Sequence, residues 1–299
     1  MAKIRPEKLI EPYVVRDGRR FRLKHIDPRD TRGFKSDKSF ADQVLQEGVS
    51  RLRDLQEKLY AQDRWGVLLI FQAMDAAGKD GVIKHVMSGV NPQGCQVFSF
   101  KQPSAQELDH DFLWRNFVCL PERGRIGIFN RSYYEEVLVV RVHPELLDKQ
   151  QIPRPLITRR IWKERFEDIN AFERYLARNG YAILKFFLHL SKKEQAKRFA
   201  KRLEQPEKQW KFSLGDLHER ERWKDYADAY EDAIRQTAAP HAPWIVVPAD
   251  NKWFARWVVA ATMIHALEAL DLAFPELTPE RRKELAKGRR LLRADRGGG

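Results

Sequence analysis

Residues 67–81 read Val-Leu-Leu-Ile-Phe-Gln-Ala-Met-Asp-Ala-Ala-Gly-Lys-Asp-Gly, and no other stretch limits the fold as strongly. An apolar run with the length of a buried strand, Val67 to Phe71, passes into a loop of small residues. The loop ends at Gly78-Lys79 and leads into Val82 to Val90, whose apolar spacing predicts a helix. Strand, small-residue loop, Gly-Lys and helix together make an anion cradle. Backbone N–H groups of the loop and of the helix start point at the anion, and the lysine adds a point charge. The expected cradle residues are therefore Ala76, Ala77, Gly78, Lys79, Asp80 and Gly81. The sequence departs from G-x-x-x-x-G-K-[ST] at two places: Ala73 stands at the first glycine and Asp80 at the hydroxyl residue. That hydroxyl normally meets Mg²⁺, and Asp75 is the natural substitute, because a hard dication prefers carboxylate oxygen.

The rest of the chain alternates apolar strands with amphipathic helices. Strands are expected over 94–100, 125–129, 181–190 and 244–247. Helices are expected over 39–62, 104–117, 159–178, 191–204, 216–237 and 252–272. Residues Phe40, Val44, Val49, Leu52, Leu55 and Leu59 mark the apolar face of the first. Ser104 with Glu107, and Ser191 with Glu194, have the spacing of capping boxes. Strands separated by helices imply an α/β fold with a parallel sheet covered on both faces. Without repeats or a marked linker, the simplest division is a basic arm over 1–35, one domain over 36–275 and a basic tail over 276–299.

Ligands of an open parallel sheet bind beyond the carboxyl ends of its strands. Two such ends carry polar signatures: Asp75 to Lys79, and Asn130-Arg131-Ser132-Tyr133-Tyr134-Glu135-Glu136. The second has the place of a Walker B segment, with Asn130 as a neutral oxygen donor. Arg131 supplies a planar, permanently charged fork suited to phosphate oxygens. Glu135 and Glu136 either favour the start of the next helix or orient an acceptor or a metal-bound water. Further on, Arg198 and Arg202 share one helix face at i and i+4, beside Lys197 and Lys201. Like charges so placed repel, which suggests a basic helix that closes over phosphates rather than a plain solvated face. Lys208 and Lys211 in the next loop extend the expected anion path.

The formal net charge of +13 over 299 residues reads either as solvated helix faces or as the mark of a highly charged small or polymeric anion as partner. Neither an exposed aromatic stripe nor a nucleic-acid motif is present. No apolar run approaches the length of a membrane span, and Met1 to Glu7 lacks the apolar core of a signal peptide. With two cysteines, Cys95 and Cys119, a cytoplasmic, reducing setting is expected. Both cysteines, and the isolated His85, His110 and His189, read as structural residues, and no zinc spacing occurs.

Three separated segments together resemble polyphosphate kinase family 2: Ala73 to Gly81 with Asn91-Pro92, Phe129 to Glu135, and Leu188 to Lys192 followed by Lys208 to Phe212. Ser99 to Ser104 and Ala242-Pro243-Trp244 also match, so the resemblance covers roughly residues 10–275. It implies a three-layer α/β/α, thymidylate-kinase-like P-loop fold with a helical lid over about 191–215. It also implies Mg²⁺-dependent, reversible phosphoryl transfer between inorganic polyphosphate and nucleotides. Under that resemblance Asp75 binds Mg²⁺, Lys79 contacts the transferring phosphate, and Arg131, Arg198 and Arg202 stabilise its charge. Tyr134 and Glu135 become acceptor-side residues. The variant Phe-Asn-Arg-Ser-Tyr-Tyr-Glu is similar to the third class of the family, which phosphorylates both AMP and ADP. Asn130 in place of the usual Asp leaves more of the metal role to Asp75. A homo-oligomer, dimer or tetramer, is expected, with neither nucleic acid nor membrane as partner. Two other readings are an ATP-dependent kinase of nucleotides or small molecules, and a polyanion-binding protein without catalysis.

Overall fold

The computed structural model describes residues 6–34 and 38–297, with side chains over 6–34 and 43–293. The first residues of the expected basic arm and the side chains of Phe40 and Arg296 lie outside this range. Among the described residues, six strands form one sheet: β1 (Val14–Val15), β2 (Gly66–Gln72), β3 (Cys95–Ser99), β4 (Ile126–Asn130), β5 (Tyr181–His189) and β6 (Trp244–Pro248). Their order is β1-β6-β5-β2-β4-β3. All neighbours run parallel except the two-residue β1, which is antiparallel to β6.

β2 is buried along its whole length, which its near-continuous apolar run requires of a central parallel strand. Its alternate side chains feed two cores. Val67, Leu69 and Phe71 pack with Leu52, Leu55 and Leu59 of the helix Lys38–Gln62 and with the helices Lys79–Val86 and Lys252–Glu268. Leu68 and Ile70 face the helices Ile161–Arg178 and Trp223–Thr237. Each such Leu or Ile contributes roughly 1.5–3 kcal/mol on burial, so the two cores fix the three layers. The helix after β2 lies on one face and the elements after β4 on the other. Loops leaving adjacent strands therefore diverge, and a crevice opens between them. Phe71 is level with Asn130 on one side and Phe186 on the other, bringing the strand ends into register there.

Several expected elements differ. The helix expected over 104–117 is two short turns, Ala105–Leu108 and Trp114–Phe117. The Ser104–Glu107 capping box forms, but Asp111 accepts the Leu113 N–H at 2.9 Å and begins a new turn. The helix expected over 216–237 divides at Arg222 into Leu214–Glu221 and Trp223–Thr237. Residues 6–15, within the expected basic arm, are ordered elements of the domain. Leu9, Ile10 and Tyr13 are buried in the core and lead into β1, an apolar signal that the basic count of the segment concealed. The helix Pro279–Gly297 is exposed along nearly all of its described side chains. Among the described residues, no helix is long and apolar enough to cross a membrane.

Candidate active site

Beyond β2 the chain turns twice through left-handed backbone, at Ala76 (φ +61°) and Gly78 (φ +102°). Glycine adopts the second without a Cβ penalty. The helix Lys79–Val86 starts directly afterwards, so its first N–H groups lack carbonyl partners and face the loop. Lys79 Nζ donates to the Ala73 carbonyl at 3.0 Å, which holds the ammonium over the loop and leaves further protons for a ligand. Burial lowers the Lys79 pKa, as does the nearby charge of Arg131, while Asp75, Glu135 and Asp80 oppose the shift. A bound anion would act in the same sense as those carboxylates.

The tip of β4 meets this loop. Asn130 Nδ2 donates to Asp80 Oδ1 at 2.7 Å, which leaves the Asn130 oxygen available. Arg131 also has left-handed backbone (φ +66°), and its N–H donates to the Phe71 carbonyl at 3.0 Å. Its guanidinium lies 3.3 Å from both Asp75 Oδ1 and Glu135 Oε2. The Glu135 charge, ahead of Asp75, raises the Arg131 pKa. Gln72 Nε2 donates to the other Glu135 oxygen at 2.9 Å. The structure thus brings together Asp75, Lys79, Asp80, Asn130, Arg131 and Glu135.

Tyr134 is not an acceptor-side residue. It is fully buried, and its hydroxyl donates within a core cluster containing Glu173 and Thr237. Its position follows from the tight turn Tyr133–Val137, which sends both tyrosines inward where a helix start was expected. Glu136 is also buried, accepts from Gln150 at 2.6 Å, and has a pKa raised by that burial.

Arg198 requires a further correction. It is 7% exposed, and its guanidinium is wholly occupied. Nε donates to Glu194, Nη1 to the carbonyls of Ala76 and Ala77, and Nη2 to those of Ala249 and Asp250. All five donors of the side chain are used. Arg198 clamps the outside of the phosphate loop and in this arrangement has no donor for a phosphate. Arg202 pairs with Asp216 at 3.0 Å and donates to the Lys211 carbonyl. Carboxylates and carbonyls therefore answer both arginines, and the repulsion inferred from i,i+4 spacing does not arise. Lys208 bonds Gln205, while Lys211 lies over the Trp210 ring, 4.8 Å from its centroid. Lys252 has a lowered pKa, first through burial and then through Arg198, Lys208, Lys201 and Arg256, so basic groups from several helices share one neighbourhood.

Two clefts meet at Arg131 and Glu135. One, of about 290 Å³, is lined by Asp75, Gln195, Asp216, Arg220, Trp223 and Tyr226, among others. The second, of about 360 Å³, lies toward Lys101, Arg115, Lys149 and Gln150. Among the described residues, no group of three or more His, Cys, Asp or Glu is arranged to hold a metal ion. Mg²⁺ needs only one or two carboxylates together with substrate phosphates. Asp75, and Asp80 with the Asn130 oxygen, fit that smaller set.

Some site residues carried no local motif. Gln195 donates to the Asp75 carbonyl at 2.9 Å and accepts from Arg220 at 2.9 Å. Asp250 holds Ser191 through both its carboxylate oxygens. Lys185, a charge within the apolar strand Tyr181–His189, was the one visible signal of a polar cluster in the core.

Comparison with known proteins agrees with this geometry. Residues 35–275 match the family described as polyphosphate kinase 2. An ADP-polyphosphate phosphotransferase of Rhodopseudomonas palustris is 55% identical over 268 residues, covering 89% of this chain and 91% of that protein. An AMP/ADP-polyphosphate phosphotransferase of Meiothermus ruber is 46% identical over 267 residues, covering 89% and 96%. The crystal structure of polyphosphate kinase 2 from Arthrobacter aurescens superimposes with a TM-score of 0.83 at 39% identity, covering 95% of this chain and 97% of that one. With sequence, fold and strand-end geometry in agreement, the chain belongs to the polyphosphate kinase 2 family.

Proposed function

We propose that this protein transfers the terminal phosphoryl group of inorganic polyphosphate to ADP and AMP, reversibly, forming ATP and ADP. The observation that carries this reading is Arg131, held between Asp75 and Glu135 where the phosphate loop and two clefts converge. Two anionic substrates can approach one permanent charge from different sides, as in-line transfer requires. Lys79 and the loop N–H groups bind the transferring phosphate, and Arg131 takes up charge that develops on its oxygens. Asp75 and Glu135 orient that guanidinium and keep its side chain ordered before substrate arrives. Gln72 and Gln195 hold those two carboxylate residues in turn. Asp75, with Asp80 and the Asn130 oxygen beside it, would hold Mg²⁺, which when bound neutralises phosphate charge.

The basic neighbourhood of Lys201, Lys208, Lys252 and Arg256 supports a chain polyanion as the donor. The name of the Meiothermus relative supports use of both acceptors. The cysteines are free, in keeping with a reducing, cytoplasmic setting. We further assign a homo-oligomer, and a core that extends beyond 36–275 to take in Leu9, Ile10, Tyr13 and β1, followed by a basic C-terminal segment.

The test is incubation with Mg²⁺, polyphosphate and either AMP or ADP, following products by chromatography beside a control lacking polyphosphate. ATP from ADP and ADP from AMP, both dependent on polyphosphate, are expected. ATP from ADP alone would remove the AMP step, and phosphorylation only with ATP as donor would overturn the polyphosphate reading.

A further inference from the structure

A charged cluster lies fully inside the core and touches neither cleft. Lys185 on β5 and Glu173 on the helix Ile161–Arg178 are both 0% exposed and 2.6 Å apart. Lys185 Nζ also donates to the Tyr134 hydroxyl at 3.0 Å and to the Thr237 carbonyl at 2.8 Å, so all three of its protons are used. Glu173 Oε1 accepts the hydroxyls of Tyr133 at 3.0 Å and Tyr134 at 2.8 Å. Thr237 completes the cluster, accepting from Trp244 Nε1 at 2.9 Å.

A buried ion pair is a poor source of stability, because desolvating both charges offsets their attraction. Its position in the chain points to another use. Tyr133 and Tyr134 follow Arg131 by two and three residues, and Ser132 between them is buried with its Oγ accepting the Tyr134 N–H. Arg131 is a non-glycine residue in left-handed backbone, a conformation that persists only when its surroundings over-determine it. On its N-terminal side the Phe71 carbonyl holds it, level with Asn130 in the β2–β4 ladder. On its C-terminal side the two tyrosine hydroxyls, anchored on Glu173 and Lys185, are the matching restraint.

We propose that the Glu173–Lys185 pair, acting through Tyr133 and Tyr134, is a positioning device that holds Arg131 in its strained backbone and aims its guanidinium at the transferring phosphoryl group. These four are positioning residues, since none touches substrate. The inference rests on the reading of Arg131 given above.

Removing either charge alone would strand its partner in the core and risk unfolding, so the test uses the tyrosines. Tyr133→Phe with Tyr134→Phe keeps both rings and removes the restraint. The double variant should lose about tenfold in kcat with little change in the KM for ADP, as expected when a reacting group is misaimed rather than a ligand site lost. Ile264→Val, in the opposite core, should leave kcat unchanged despite its packing loss.

The decisive measurement is a cycle with Arg131→Lys. If the tyrosines act through the guanidinium, their effect on kcat should shrink to less than about twofold in the Arg131→Lys background. Losses that multiply across the two backgrounds would overturn the positioning role while leaving the reading of Arg131 intact. If Arg131→Lys alone kept full turnover, both that reading and this inference would fall.

Discussion

Lys79 and Asp75 carry opposite charges on one loop, and their surroundings give them different work. Lys79 is desolvated and beside Arg131, which disfavours its charged form until an anion arrives. Lys79→Ala should therefore lower kcat/KM by at least about 100-fold, about 3 kcal/mol of transition-state stabilisation. Its urea midpoint should stay near wild type, because the side chain makes one backbone hydrogen bond. Near-normal turnover in that variant would remove the cradle from the mechanism. Asp75 serves both Arg131 and the proposed metal position, so Asp75→Asn should raise the Mg²⁺ concentration for half-maximal rate about tenfold. An unchanged Mg²⁺ titration would assign Asp75 to Arg131 alone.

Among the elements, the helix Lys192–Glu204 shows how spacing can mislead. Its basic residues predicted a surface waiting for phosphate, yet its middle is bound to the phosphate loop through Arg198. Four carbonyls would lose their donors in Arg198→Ala, which should cost about 3 kcal/mol in urea unfolding and most of the activity with it. Arg202→Ala breaks a partly exposed pair with Asp216 and should cost about 1 kcal/mol or less. Equal losses in the two variants would contradict the clamp. The division of the expected 216–237 helix at Arg222 was not visible in the periodicity, which continues across the break. Tyr226 reaching Glu219 at 2.6 Å, and His143 reaching the same carboxylate at 2.9 Å, are contacts that only the folded chain makes.

For the molecule as a whole, charge and pH set two expectations. With a formal +13 and a proposed polyanionic donor, the KM for long polyphosphate should rise with ionic strength as the steering field is screened over about 10 Å at 0.1 M salt. The KM for ADP should rise less, and equal slopes would argue against a basic donor path. His189, at the end of β5, is held neutral by burial, its pKa lowered from the usual 6.5 to about 4. In acid the unfolded chain takes up this proton more readily than the folded one. The stability that His189 contributes is therefore complete above about pH 6.5 and falls as pH drops toward 4. Urea midpoints measured across that window should show the slope, and His189→Gln should flatten it.

The layers and the candidate phosphate loop could be read from local sequence, because both are written in local periods. A buried parallel strand needs a continuous apolar run, and an anion cradle needs small residues ending at Gly78-Lys79. Asp75, Lys79 and Arg131 were legible as candidates for that reason: each lies in the connection that leaves a strand end, from Gln72 to the helix start at Lys79 or just after Asn130, and strand ends are where such sheets bind. Long-range packing set the rest. Whether an arginine faces phosphate or a carbonyl depends on what packs beside it. Arg198 found Ala76, Ala77, Ala249 and Asp250, residues far from it in sequence. Tyr134 turned inward because a short turn replaced a helix and a buried Glu173 and Lys185 were there to receive its hydroxyl. Leu9, Ile10 and Tyr13 joined the core because β6 offered an edge for β1. Local pattern fixes which side chains can do chemistry, and long-range packing fixes which of them are free to do it.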